Sequence, residues 1–259
     1  MEEEKISDIF QKIRTQQPLI HMIPNGVSGE FCADGLAALG ARPLMAVASG
    51  EMKEIVAQAD AVVLNLGQLT NEKKNAVQIA FKESMRLGKP LVLDPVGCGA
   101  SKYRLEATQR ILSNSFCGIV KGNVSEIYSI QNNRLTKEGI DAQKAWSLKE
   151  EDREGQTWLV TGEQDILINK GKITKLFLSG GRKYNIVGTG CLLGAVLGAC
   201  YSMTKDQVSA SMAASFGMFY ALEQLTEADG YGNAKVKILN TLEYLSEPDF
   251  CQWLKRRMK

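Results

Sequence analysis

The sequence predicts an α/β protein whose central, mostly parallel sheet carries helices on both faces. Three observations lead there. Apolar runs of six to eight residues, too short for helices, recur along the first 162 positions. They are continuously apolar, as strands covered on both faces are. Helical patterns alternate with them, which is the rhythm of βαβ units.

Taken in order, the chain opens with "MEEEKISDIF", acidic and amphipathic, without the basic and apolar regions of a signal peptide. Strands are expected at 18–23 ("PLIHMI"), 43–48 ("PLMAVA"), 61–67 ("AVVLNLG"), 90–97 ("PLVLDPVG"), 118–123 ("GIVKGN") and 157–162 ("TWLVTG"). Residues 71–88 read as a helix, since Ala76, Ile79, Ala80 and Met85 recur near helical spacing and Gly88 closes it. After position 162 the pattern changes. "DILINKGKITKLFLSGG" alternates and turns at Lys170 and Gly171, as a hairpin would. The remainder is helical through 190–203, 205–225 and 234–246, and "NIVGTGCLLGAVLGAC" (185–200) begins like a strand before its glycines open a helix. Nothing resembling a linker or repeat interrupts the pattern, so residues 1–259 are expected to form one domain.

Composition excludes several classes. The 31 Lys and Arg against 29 Asp and Glu give a net charge of +2, too little for a nucleic-acid field. Six cysteines without a C-x-x-C pair, in a chain large enough to dispense with disulfides, are expected as reduced thiols in the cytoplasm. Asn185 to Thr204 is uncharged and spaces Gly190, Gly194 and Gly198 as G-x-x-x-G. A membrane span needs about 20 helical apolar residues, and this stretch begins with a helix-opening turn. A buried helix pressed against the sheet accounts for it better.

Candidate functional residues stand at the expected strand ends, where open α/β sheets bind ligands. Asp94 precedes Pro95, Gly97 and Gly99; Lys121, Gly122 and Asn123 precede a helix holding Glu126; Thr161 and Gly162 close the next strand. Each has a plain alternative. Asp94 suits a turn before proline, and Asn123 with Glu126 suits a capping box. The "GTGC" turn, residues 188–191, is sharper. Glycines opening a helix aim backbone N–H groups at an anion, and the helix dipole reinforces them, so Gly188, Thr189 and Gly190 are the candidate anion hole. No Walker A string occurs, and a dinucleotide fingerprint fails at Leu193, with its glycine one residue late. An anion hole, a carboxylate pair suited to Mg²⁺ and a lysine at a strand end together suit phosphoryl transfer.

In this order, "PLMAVA", "VVLNLG", "LVLDPVGCGAS", "IVKGNVSEI", "VTGE" and "VGTGCLLGAV" resemble the hydroxyethylthiazole kinase family of the ribokinase-like superfamily, from about Ile20 to about Gly198. The resemblance implies ATP-dependent, Mg²⁺-assisted phosphorylation of the primary alcohol of 4-methyl-5-(2-hydroxyethyl)thiazole in thiamine salvage, by a homotrimer with active sites between subunits. Position by position, it implies substrate contacts at Met45 and Gly188, ATP contacts at Lys121 and Thr161, and metal organisation by Asp94 and Glu126, directly or through water. Cys191 stands where related kinases carry a basic aspartate. At a helix start its thiol is expected to be lowered from about 8.5 and able to accept the alcohol proton, the plain alternative being a small buried side chain. Two departures fall on the acceptor side. Gly26, Val27, Ser28 and Gly29 replace a tyrosine and apolar residues, and Val47 replaces a histidine. A kinase for another small heteroaromatic alcohol, such as a pyrimidine precursor, and a non-catalytic thiazole- or nucleotide-binding descendant are the alternatives these leave. His21, the sole histidine, is assigned to the structure of the first strand.

Overall fold

The computed structural model describes residues 2–113, 115–136, 154–176 and 186–257. Helix α1 (Glu2–Gln16) leads into β1 (Leu19–Ile23), α2 (Gly29–Ala38) and the short β2 (Arg42–Leu44). Then come α3 (Met52–Gln58), β3 (Ala61–Asn65), α4 (Asn71–Leu87), β4 (Leu91–Asp94), α5 (Lys102–Leu112), β5 (Gly118–Asn123) and α6 (Val124–Asn132). After β6 (Gln156–Thr161), the hairpin β7 (Ile166–Asn169) and β8 (Lys172–Lys175) precedes four helices, α7 (Thr189–Thr204), α8 (Gln207–Glu223), α9 (Gly230–Glu243) and α10 (Pro248–Arg257).

The strands form one sheet in the order β2-β1-β3-β4-β5-β6-β7-β8, parallel through β6 and antiparallel in the hairpin. Side chains alternate between two cores. Val63, Val92, Ile119 and Leu159 face the layer of α1, α2 and α7 to α10. Val62, Leu64, Leu93, Val120 and Val160 face α3 to α6. Burial on both faces explains why the strands read as continuous apolar runs. The same two-residue period places Asn65, Asp94, Lys121 and Thr161, each two positions beyond one of the first four residues, on the α7 side at the strand ends.

The expected elements stand with two differences. Residues 43–48 form no six-residue strand, because β2 ends at Leu44 and Val47 and Ala48 turn outward, so their apolarity reports no core position. Ile186 and Val187 belong to no strand, while Asn185 and the hairpin tail 177–181 lie outside the described residues. Gly88 closes α4 in the left-handed region, and Lys170 and Gly171 turn the hairpin with positive φ, as read.

Helix α7 is buried continuously from Cys191 to Ser202. Its glycine stripe descends across the sheet. A Cβ at Gly190 would lie 3.4 Å from Lys121 Nζ on β5, one at Gly194 3.3 Å from Asp94 Oδ2 on β4, and one at Gly198 2.5 Å from Val63 Cγ2 on β3. The spacing therefore serves close packing on three successive strands. Among the described residues no helix is long and apolar enough to cross a membrane.

Two predictions follow from this packing. Gly198→Ala should cost about 1–3 kcal/mol in urea denaturation through overpacking, and Gly198→Ala/Val63→Ala should lose less than the sum of the two single variants. His21, fully buried on β1, shares Nε2 with the Ala46 carbonyl at 3.1 Å, while Nδ1 has no partner among the described residues. Burial lowers its pKa to about 4. The unfolded chain takes up a proton below about pH 6.5 and the folded chain does not, so stability present above that pH is lost as pH falls toward 4. Between pH 7 and pH 5 His21 should account for about 2 kcal/mol of lost stability, a loss that His21→Phe removes from the pH dependence.

Candidate active site

Six parallel strands end along one rim of the sheet, and polar side chains collect there. Strand β4 stops at Asp94 because Pro95 supplies no N–H to the ladder. Gly97 follows with φ +64, a left-handed turn into the 3-10 segment Cys98–Ala100. The buried carboxylate of Asp94 accepts from Lys121 Nζ at 3.1 Å and from Asn65 Nδ2 at 2.9 Å, Asn65 being its register neighbour on β3. Burial pushes Asp94 upward in pKa, opposed by Lys121 and by the Asn65 bond. For Lys121, burial acts downward, but Asp94 and Glu126 outweigh it and the ammonium is raised.

Glu126 is the capping partner of α6. Asn123 Oδ1 accepts from Glu126 N and Glu126 Oε2 from Asn123 N, each at 2.8 Å, while Glu126 Oε1 accepts from Gly97 N at 2.7 Å. Both carboxylate oxygens thus hold backbone, and the capping alternative read in the sequence is realised. Burial nevertheless pushes Glu126 up to about 7. Thr161, opposite Asn123 in register, donates its hydroxyl to Gly122 O at 3.4 Å.

Helix α7 begins over this layer. Gly188, its N-cap, has φ +97, and a Cβ there would also meet Ser28 and Phe31 at 3.1 and 3.3 Å. Thr189 turns its amide and hydroxyl toward Ile186 O, at 3.4 and 3.0 Å. The helix-start amides of Gly190 and Cys191 therefore remain as the stronger donors for an anion, with Lys121 directly beneath Gly190.

The Cys191 thiol is fixed by groups that the sequence reading passed over. Asn25, just past β1, and Asn65 each direct Nδ2 at Sγ from 3.2 Å, and Asn25 Nδ2 also reaches Asn65 Oδ1 at 3.2 Å. Asn25 Oδ1 in turn accepts from Val27 N, Ser28 N and Ser28 Oγ, fixing the altered 26–29 segment as a turn. Gly26 N donates to Gln68 Oε1 at 2.7 Å. The expectation of a lowered thiol is corrected: burial and the neighbouring Asp94 charge push Cys191 up, against weaker opposition from Lys121, Ser28 and Asn65.

Lys73 was hidden in the charged run "NEKKN". It occupies the first turn of α4 yet is only 8 % exposed. Its Nζ donates to Gly67 O at 2.5 Å, and burial lowers its pKa to about 8 against the fields of Cys191 and Asp94. The signal available in advance was its place directly after a strand-end loop, "LNLGQLT". Met45 stands apart from this cluster, half-buried beyond β2 and packed on the α7-side core.

A cation, helix-start amides and two carboxylates at the carboxyl rim of a parallel sheet can bind and move a phosphoryl group. The hydroxyethylthiazole kinase family model matches residues 10–248. The chain belongs to the hydroxyethylthiazole kinase family. A hydroxyethylthiazole kinase of Lysinibacillus sphaericus is 35 % identical over 249 residues, covering 92 % of this chain and 96 % of that protein. The solved structure of a hydroxyethylthiazole kinase protein from Pyrococcus horikoshii matches with a TM-score of 0.81 and 30 % identity over 94 % of both chains. A ribokinase-like superfamily protein from Enterococcus faecalis, 13 % identical, shares the fold with a TM-score of 0.59 over 96 % of this chain and 94 % of its own. As a member of the hydroxyethylthiazole kinase family the chain is a kinase, a phosphotransferase with an alcohol acceptor, on a ribokinase-like fold.

Among the described residues no three His, Cys, Asp or Glu side chains gather as a metal cage. The donor set, hard oxygens of the buried Asp94 and Glu126 carboxylates, fits instead an ion that keeps most of its water and is held through nucleotide phosphates, as Mg²⁺ commonly is. The Asp94–Lys121 pair yields a structural prediction. Lys121→Met should cost about 3–5 kcal/mol by leaving a buried carboxylate unpaired. Lys121→Met/Asp94→Leu should lose less than that single variant in the same urea titration.

Proposed function

We propose that this chain transfers the γ-phosphoryl group of ATP to the primary alcohol of 4-methyl-5-(2-hydroxyethyl)thiazole, a thiamine-salvage step. The observation that carries the proposal is the coincidence, at one helix start, of the Gly190 and Cys191 amides, the Lys121 ammonium beneath them and the Cys191 thiol held by two asparagines. The names of the relatives supply the acceptor.

In this reading, the nucleotide phosphates lie over β4 to β6, with Lys121 and Thr161 on the ATP side and Gly188 and Met45 on the acceptor side. The alcohol oxygen attacks the γ-phosphorus in line, the bond to the ADP oxygen breaks, and ADP leaves with its electron pair. Gly188, Thr189 and Gly190 shape the anion hole, the Cys191 amide completes it, and the Gly190 and Cys191 amides take most of the equatorial oxygen charge. Asp94 and Glu126 would hold magnesium through its waters, and the ion would neutralise phosphate charge. Because the thiol is raised, Cys191 rests protonated at neutral pH. It orients the alcohol through a hydrogen bond at sulfur, and the alcohol proton passes only late, to a phosphoryl oxygen and from there to water, because a loose transition state needs little prior deprotonation.

A homotrimer with sites between subunits agrees with the exposure of Val27, Val47 and Val187, each adjacent in sequence to a site or acceptor-side segment. Six free cysteines suit a reducing, cytoplasmic compartment. The turn at 26–29 and the exposed Val47 make the acceptor pocket the part most open to a different heteroaromatic alcohol.

ADP release in the presence of ATP, Mg²⁺ and the thiazole alcohol tests the proposal, and no release above the alcohol-free rate would overturn it. Asp94→Ala should abolish turnover. Cys191→Ala should slow kcat by about 10- to 100-fold, below the full effect of a general base, and unchanged turnover would remove the thiol from the mechanism. Met45→Ala should raise KM for the thiazole and leave KM for ATP nearly unchanged.

A further inference from the structure

Lys73 is placed where an unneutralised cation is costly. Its side chain is more than nine-tenths buried, and it sits in the first turn of α4, where the helix dipole disfavours positive charge. No carboxylate lies within ion-pair distance of it among the described residues, in contrast to Lys121 with Asp94. Its one acceptor is the Gly67 carbonyl, which leaves two of three ammonium protons for something else. Arg104 on α5 adds a second positive charge toward it. Local structure fixes its direction. Thr70 caps α4 by accepting from Lys73 N at 3.2 Å, and the side chain turns back over the Gly67 turn. Gly67 N donates to Asn65 Oδ1, and the same Asn65 donates to Asp94 and to Cys191. Lys73 thus reaches the reacting centre from the β3 side, while Lys121 reaches it from β5.

We propose that Lys73 is a second cationic subsite of the reaction, on the acceptor side, whose ammonium receives a phosphoryl oxygen as the group arrives on the alcohol and holds the phosphate ester that results. The inference rests on the kinase reading above. It explains why a lysine remains buried there without a counter-ion: the anion is delivered by the chemistry. It also distributes the charge of the travelling group between two ammoniums, with Lys121 on the donor side and Lys73 on the acceptor side. The unphosphorylated alcohol, being neutral, gains nothing from Lys73, so the residue separates product from substrate.

The test is calorimetric titration of the thiazole alcohol and, separately, of its phosphate ester into the wild-type protein, Lys73→Met and Lys73→Arg. Lys73→Met should raise the Kd of the ester about tenfold to a hundredfold, the range for a hydrogen bond to a charged group, and leave the Kd of the alcohol within about twofold. Lys73→Arg should keep most of the ester affinity. Equal weakening of both ligands by Lys73→Met, or of neither, would overturn the inference and show Lys73 to be a clasp for the Gly67 turn. A wild-type protein that binds neither ligand would overturn the functional reading itself, and this inference with it. Should Lys73→Met fold poorly, NMR of wild-type protein labelled at lysine Cε decides. The Lys73 signal, assigned by its absence from Lys73→Arg, should move with the ester and not with the alcohol; no movement with the ester overturns the inference.

Discussion

The structure depends on one buried contact, the seating of a glycine-striped helix on an ion pair. Asp94 and Lys121 leave water together, which costs several kcal/mol per ion before their attraction returns it. Asn65 completes the carboxylate, and α7 closes over the pair with Gly190 above the ammonium and Gly194 above the carboxylate. A side chain at either glycine would press on the pair or lift the helix from it. The amides at the helix start are consequently held over a fixed positive charge, and an anion arriving there meets donors that need no rearrangement.

The sheet explains how these groups come together. A period of two along each strand sends Asn65, Asp94, Lys121 and Thr161 to the same face as Val63, Val92, Ile119 and Leu159, whose burial fixes the register. The site is thus the polar continuation of the core at the strand ends. The asparagines serve a related purpose from the other direction. Asn25 arrests the turn after β1 and Asn65 the turn after β3, and their amide groups meet at the Cys191 sulfur. The loops after β1 and β3 and the start of α7 are therefore coupled through three side chains.

Much of this was legible in the sequence where local signals and burial agree. The strand runs at 61–67, 90–97, 118–123 and 157–162, the helix closed by Gly88 and the hairpin turn at Lys170 were all readable, because each is fixed by its own residues. Reading failed where the environment decides. Apolar "MAVA" was read as strand, but its valine and final alanine face outward. Cys191 was assigned a helix-start environment that lowers a thiol, whereas its burial against a carboxylate raises it. By contrast, the capping box legible at Asn123 and Glu126 is realised, and both Glu126 oxygens hold backbone N–H groups. Lys73 stands among other charges in "NEKKN", and only the fold of the Gly67 turn reveals that it is buried. Asparagines at strand ends carry no charge and form no motif, so nothing in the sequence marks Asn25 and Asn65, which only the fold brings together at Cys191.

The most direct measurement of the central claim is a crystal structure with a non-hydrolysable ATP analogue, Mg²⁺ and the thiazole alcohol bound together. The account predicts the terminal phosphate within about 3 Å of the Gly190 and Cys191 amides and of Lys121, with the Asp94–Lys121 pair intact below. A terminal phosphate bound elsewhere, with the start of α7 turned to solvent and Lys121 directed only at Asp94, would contradict it.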